Sequence, residues 1–232
     1  MIFDLISAFR TGNVESLKWA VASLLLSLPI IILALSVHEM AHGFIAYKLG
    51  DPTARNFGRL SLNPAKHLDP IGFICMIAFG FGWAKPVPIN TRYFKKPKRD
   101  MAISAIAGPV SNLLLALVFA GLLKIFTLCL PLIHTTESFV EILIYFCYIL
   151  LSLGIELNVA LAVFNLLPIP PLDGSKILYM FLPPNVLYKF MDYERYFSLI
   201  LLLLLAFGLI PISLVSRVII NLISFIFQMP IF

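Results

Sequence analysis

The chain has 232 residues, of which 60% are hydrophobic and only 12% charged, with a mean hydropathy of +0.97. Soluble domains carry about 25% charged residues, so the composition excludes an ordinary soluble enzyme and predicts a membrane protein. The net charge of +5 is spread over short loops, which suits anchoring to anionic lipid and argues against nucleic-acid partners.

In chain order, residues 1–17 read as a short surface helix, with Ile2, Phe3, Leu5, Ile6 and Phe9 against lipid and Asp4, Ser7 and Arg10 towards water. No removable leader is read there, because Asp4 and Arg10 interrupt the apolar residues and no small-residue cleavage site follows. Residues 18–50 form the first predicted span. At 1.5 Å per residue it is about 50 Å of helix, longer than the ~30 Å hydrocarbon layer, with Pro29 as a kink point and Gly50-Asp51-Pro52 as a stop signal. The loop 51–67 is polar and carries Arg55, Arg59 and Lys66. Residues 68–84 are apolar but short, and Pro70, Gly72, Gly80 and Gly82 are expected to break helical continuity. A strongly basic loop, 85–100, sets Lys85, Arg92, Lys95, Lys96, Lys98 and Arg99 against one acid, Asp100. Spans are predicted over 101–131 and 139–167, then a proline-rich, amphipathic stretch over 168–195, then a leucine-rich last span over 196–228. Cys75, Cys129 and Cys147 lie in apolar segments with no C-x-x-C pair, and read as buried packing residues.

The expected fold is an all-α polytopic membrane protein with four transmembrane helices plus a re-entrant hairpin, five full spans being the alternative. It is read as one membrane-embedded domain over 1–232, with its core in 18–180 and an extra C-terminal span in 196–228. If residues 68–84 crossed the bilayer, the two most basic loops would lie on opposite sides. If they enter and return, both loops lie on one side, which the positive-inside rule makes cytoplasmic, and both termini lie outside. Re-entrant backbone is tolerated where protein or a water-filled cavity surrounds it.

The first predicted span ends in His38-Glu39-x-x-His42. Residues four apart share a helix face, so both imidazoles can point at one ion, and Glu39, one step round, can reach a water on it. If Lys48 snorkels to the interface, helical rise puts His42 about 9 Å and His38 about 15 Å inside it. Ionisable groups at such depth are expensive and usually functional. Around them Ile31, Ala34, Leu35, Ile45 and Leu49 make the rest of that face apolar. The alternative is a pair of buried histidines bonded to neighbouring carbonyls. Catalytic zinc has three protein ligands and an open position. Asp173, in Asn165-Leu-Leu-Pro168-Ile-Pro170-Pro171-Leu172-Asp173-Gly174, follows a span that begins outside and so emerges on the side of His38 and His42. Its competing reading is the N-cap of a helix beginning near Ser175.

These two motifs, with Gly108-Pro109-Val110-Ser111-Asn112 between them, resemble the site-2 proteases, intramembrane zinc metalloproteases, in their short bacterial and archaeal form. The resemblance covers residues 20–180 and leaves no room for a PDZ domain or a CBS pair. It implies one Zn²⁺ ion, His38, His42 and Asp173 as its ligands, and Glu39 as the general base that activates the zinc-bound water. It implies hydrolysis of a peptide bond in or beside a transmembrane helix of a membrane-anchored substrate. Asn165 and Asn112 are candidates for substrate binding or transition-state support; tying down the proline loop, for Asn165, and hydrogen-bonding between helices, for Asn112 and Asn158, are the alternatives. Residues 80–90 are expected to offer an extended edge to an unwound substrate, or merely to plug the site. His67 reads as a loop residue, His134 lies on the side away from the metal, and Glu156 either lines a water path or sits protonated in the bundle. Two other classes compete: a non-proteolytic zinc-binding membrane regulator, against which an intact Glu39 argues, and a transporter, against which the clustering of polar residues at one depth argues.

Overall fold

The structure is a computed structural model, which describes residues 14–79, 82–132, 138–193, 196–197, 200–201, 203–204 and 212–229. Its long elements are α1 (Val14–Lys48), α4 (Pro97–Cys129) and α5 (Ser138–Asn165). Three helical stretches, Val21–Lys48, Pro97–Cys129 and Phe139–Asn165, are long and apolar enough to cross a membrane. Shorter helices are α2 (Thr53–Asn56), α3 (Pro70–Phe79), α6 (Asp173–Tyr179), α7 (Pro184–Asp192) and α8 (Ile212–Phe227). The chain is therefore an all-α membrane protein, as its composition predicts. Of the last predicted span, α8 is the principal described part, and residues 205–211 lie outside the described residues. So do residues 1–13, and with them most of the predicted surface helix; its final residues, 14–17, already belong to α1.

α1, α4 and α5 pack on one another, and α8 packs against α4 and α5. Small residues make this possible. Ala116 and Ala120 of α4 are fully buried against Ile155, Val159 and Val163 of α5, with Ile223 of α8 completing the cluster. In a bilayer, lipid tails compete equally for apolar contact, so close backbone approach at small residues is what favours helix association. The outer faces are greasy: Leu114, Val118, Leu122 and Ile125 of α4 are all exposed.

Boundaries follow local chemistry. α1 stops where Gly50 adopts φ +109°, and the Asp51 amide donates back to Ala46 O at 3.0 Å. α4 begins four residues earlier than predicted, with Pro97 in its first turn, and the fully buried Asp100 carboxylate accepts from the Lys96 amide at 2.9 Å.

Residues 68–84 correct one expectation. Pro70 and Gly72 do not interrupt a helix; they start one. Pro70 opens α3, where a missing amide hydrogen is harmless, and Asp69 Oδ1 accepts from the Gly72 amide at 2.8 Å. Gly72 is needed because a Cβ there would lie 2.2 Å from Trp83 O. The segment then returns to its origin: Leu68 and Ala84 form an antiparallel bridge, and the Lys85 amide donates to His67 O at 2.7 Å. The ends of the segment therefore meet, as a re-entrant hairpin requires, and the ten-residue α3, about 15 Å long, is too short to span.

The cysteine expectation also needs correcting. All three thiols are free, but Cys129, at the end of α4, is exposed, and Cys75 and Cys147 are only partly buried.

Candidate metal centre

α1 carries His38 and His42 on one face, one turn apart, with ring centroids 4.6 Å apart and planes nearly perpendicular. Asp173 arrives from the turn that follows α5. Leu166, Leu167 and the prolines fold back so tightly that a Cβ on Gly174 would lie 2.3 Å from the carbonyl oxygens of both leucines. That contact explains the Asp-Gly pair: glycine lets the chain pass, and the carboxylate preceding it is aimed at α1. Asp173 is the first residue of α6, not its N-cap, and its side chain caps nothing.

The three groups converge. His38 Nε2 and His42 Nε2 each lie 3.0 Å from Asp173 Oδ2, and 3.0 Å from each other. All three residues are buried. They are the group of potential metal ligands found among the described residues. Ligands held ~2.0–2.1 Å from a tetrahedral ion are about 3.3–3.4 Å apart, so a small outward relaxation fits these atoms to zinc.

Their supports fit too. His38 Nδ1 donates to Asn112 Oδ1 at 2.6 Å, and His42 Nδ1 donates to Ser104 O at 2.8 Å. With the Nδ1 protons so engaged, both Nε2 atoms present lone pairs to the centre. Ser104 returns a bond, its hydroxyl donating to His42 O at 3.0 Å. The second carboxylate oxygen, Asp173 Oδ1, accepts from Lys176 Nζ at 3.0 Å, leaving Oδ2 as the inward donor atom. α4 comes close enough for these contacts at Gly108, where a Cβ would lie 2.4 Å from His42 Nε2 and 2.6 Å from His38 Cε1.

Glu39 is held differently. Its Oε2 accepts from the Val87 amide at 2.9 Å. Val87 belongs to a strap, residues 84–90, laid over α1 where Gly43 has no side chain: a Cβ there would lie 3.1 Å from Val87 Cγ1. The strap is tied along its length. Arg59 donates to the carbonyls of Lys66, Lys85 and Pro86, the last at 2.9 Å, and the Asn90 amide donates to Asp51 Oδ2 at 2.7 Å. Burial lowers the Arg59 pKa from its ordinary value, while the nearby Glu39 charge works to raise it. The Lys85, Val87 and Asn90 amides are thus engaged, and Pro86 and Pro88 have none. Only part of the expected pairing edge over 80–90 is available, and residues 80–81 lie outside the described residues.

The other sequence candidates fall elsewhere. Asn165, at the end of α5, donates to Leu161 O at 3.0 Å, within its own helix and away from the three-residue cluster's hydrogen bonds. Asn112 is fully buried and its Oδ1 lies 2.6 Å from His38 Nδ1, which places it behind a histidine and matches the interhelical hydrogen-bonding alternative. Asn158 is buried beside it. His67 is fully buried and contacts Ser61 O at 2.6 Å, a loop role. Glu156 is exposed on α5, next in sequence to the buried Ile155. His134 lies outside the described residues. Sequence reasoning missed Ser104, Lys176 and Arg59 as supports; only the spacing of Lys176, one turn after Asp173, offered a signal.

Comparison with known proteins shows the family. Peptidase family M50 matches residues 26–209, most of the chain. The chain belongs to peptidase family M50, the site-2 proteases. Among curated relatives that carry the name "Putative zinc metalloprotease", YwhC of Bacillus subtilis is 44% identical over 174 residues, covering 75% of this chain and 77% of the relative. Rip2 of Mycolicibacterium smegmatis is 34% identical over 161 residues, covering 66% of this chain and 56% of the relative. MJ0611 of Methanocaldococcus jannaschii is 34% identical over 152 residues, covering 64% and 71%. No solved structure matches the chain.

Proposed function

We propose that this M50 peptidase is an intramembrane zinc endopeptidase that hydrolyses a peptide bond in or beside a transmembrane helix of a membrane-anchored substrate. The observation that carries the reading is the convergence of His38, His42 and Asp173 within 3.0 Å of one another, with Glu39 on the same apolar helix. The names of the M50 relatives favour zinc, and two imidazole nitrogens with one carboxylate oxygen are a donor set that zinc accepts.

Zinc bound there supplies a Lewis acid and brings water to an acidity near neutral pH. The protein's own groups do the rest. Glu39 takes the water proton on a carboxylate oxygen and returns it to the leaving amine. Lys176 holds Asp173 to one oxygen. The buried supports behind both histidines keep the rings from turning. A helical substrate has its carbonyls satisfied internally, so its scissile segment must unwind before attack, and the free part of the strap is the edge beside which an extended segment lies. Asn165, at the mouth of the α5–α6 turn, is the candidate polar donor to that segment.

The basic loops support a cytoplasmic-facing site in the cell membrane. Because the hairpin returns to its start, Arg55 and Lys66 stand on the same side as Arg92, Lys95, Lys96 and Lys98. Six residues of helix separate Lys48 from His42, a depth of about 9 Å.

Zinc content and cleavage of a transmembrane peptide test the proposal, with Glu39→Gln and Asp173→Ala beside the wild type. Wild type should hold one zinc and cut. Glu39→Gln should hold zinc and lose cleavage by at least about a thousandfold, within the range assigned to losing a general base; Asp173→Ala should lose both. Unchanged turnover in Glu39→Gln would remove it from the mechanism, and a zinc-loaded wild type that cuts nothing would make the protein a binder.

A further inference from the structure

We infer that Asn158 is a positioning residue for His38, acting through Asn112 as a chain of two amides that fixes which imidazole nitrogen faces the metal. The inference rests on the zinc reading above and extends it to a residue that touches no ligand atom.

The chain has one direction. Asn158 Nδ2 donates to Gly154 O at 2.8 Å, so Asn158 Oδ1 is turned towards α4. There it accepts from Asn112 Nδ2 at 2.9 Å, and the same nitrogen also donates to Ala34 O at 3.2 Å. Both Asn112 hydrogens are then engaged, and its remaining polar atom, Oδ1, lies 2.6 Å from His38 Nδ1. An amide oxygen only accepts, so Nδ1 must carry the proton and Nε2 must carry the lone pair. Neither amide can be reversed, because each donates to a backbone carbonyl, which cannot itself donate. Both asparagines are fully buried, where an unpaired amide is costly.

Three helices meet in this chain: α5 supplies Asn158, α4 Asn112 and α1 His38 with Ala34. Zinc-binding histidines are commonly steadied by a carboxylate. A carboxylate at position 112 would bring another negative charge into a buried, apolar bundle, and when ionised it could not donate to Ala34 O. An amide orients the ring without adding charge. Removing Asn158 frees one Asn112 hydrogen and leaves the 3.2 Å bond to Ala34 O to hold the amide, which can then rotate off His38 Nδ1. His38 Nδ1 then loses the acceptor that holds its proton, and the tautomer whose Nε2 carries hydrogen and cannot bind metal becomes populated.

The test is chelator-competition zinc affinity of the purified full chain, together with the visible spectrum of the Co²⁺-loaded protein. Asn158→Leu, matched in size, should weaken zinc by on the order of tenfold, as losing an outer support does, and shift the cobalt bands. Asn158→Ser, whose hydroxyl can still reach Gly154 O but not Asn112, should do the same and decides the matter should the leucine variant not fold. Asn158→Asp, which when protonated can still accept from Asn112 and donate to Gly154 O, should bind within about threefold of wild type. Val159→Ala, a buried neighbour outside the chain, should lose thermal stability without weakening zinc. Unchanged affinity and spectrum in Asn158→Leu or Asn158→Ser, or an equal loss in Val159→Ala, would overturn the inference. A wild type that binds no zinc would instead overturn the metal reading on which it rests.

Discussion

The two halves of the site are built on opposite plans. The metal half is fixed by side chains from packed helices: His38 by Asn112, His42 by Ser104, and Asp173 by Lys176. Its ligands are buried, and α4 touches them at Gly108. The base half rests on a strap. Glu39 is half-buried, and it accepts from one backbone amide in a proline-flanked segment held down by Arg59 and Asp51. The difference separates two demands. Ligand geometry tolerates little error and is built where side chains cannot move, whereas a substrate segment must enter beside the base, where a few hydrogen bonds can be exchanged. Damage to the metal half should therefore remove zinc, and damage to the strap should slow cleavage with zinc in place.

The largest expected effect falls on the metal half. Gly108→Ala adds one methyl group whose carbon would lie 2.4 Å from His42 Nε2. Helix backbone on one side and a ligand ring on the other leave no relaxation that keeps the site. Zinc affinity should fall by on the order of 100-fold, the upper end of what disturbing a ligand's support costs, while the helical content by circular dichroism stays the same. Wild-type zinc affinity in this variant would show that α4 is less tightly seated than the metal half requires.

A smaller effect is expected at Arg59. Arg59→Met keeps the aliphatic stem but removes the donors to the Lys66, Lys85 and Pro86 carbonyls. Amide exchange at Lys85, Val87 and Asn90 should accelerate, and cleavage should drop roughly tenfold, as misplacing a group at the site by a fraction of an ångström does. Zinc content should not change. Arg59→Lys should recover only part of the loss, because an ammonium cannot span three carbonyls as the guanidinium fork does. Zinc loss in Arg59→Met would break the division between the halves.

The division also marks what could be read from residues alone. The metal half was legible because its signal is periodic: 100° per residue puts His38 and His42 on one face, and the direction of the preceding span brings Asp173 to the same side. The supports were less so. Asn112 carried a motif but no hint that it lies behind a histidine, since that depends on which face of α4 meets α1. The strap was hardest. Arg59 reads as one more positive charge in a polar loop, yet it is buried, and its partners are backbone carbonyls up to 27 residues away. Backbone acceptors are present at every position and leave no trace in the residue pattern. Pro70 and Gly72 misled for a related reason. Both disfavour helix interiors, but one opens α3 and the other is required by a contact with Trp83.

The smallest expected effect sharpens the comparison most, because it is aimed at one hydrogen bond. Val87→Pro deletes the amide that donates to Glu39 Oε2. The backbone should accept it: Val87 already precedes Pro88, which confines it to extended conformations, and proline is at home there. Packing against Gly43 is partly kept by the ring. Glu39 would lose one orienting bond while the metal half and the Arg59 ties stay in place. The turnover number should fall about threefold to tenfold, within what losing one hydrogen bond of ordinary net strength, about 0.5–1.5 kcal/mol, predicts, with KM and zinc content unchanged. A loss beyond about a hundredfold would mean that the strap amide acts on the reacting atoms themselves. No loss at all would mean that Glu39 needs only α1 to hold it, and that the strap serves the substrate alone.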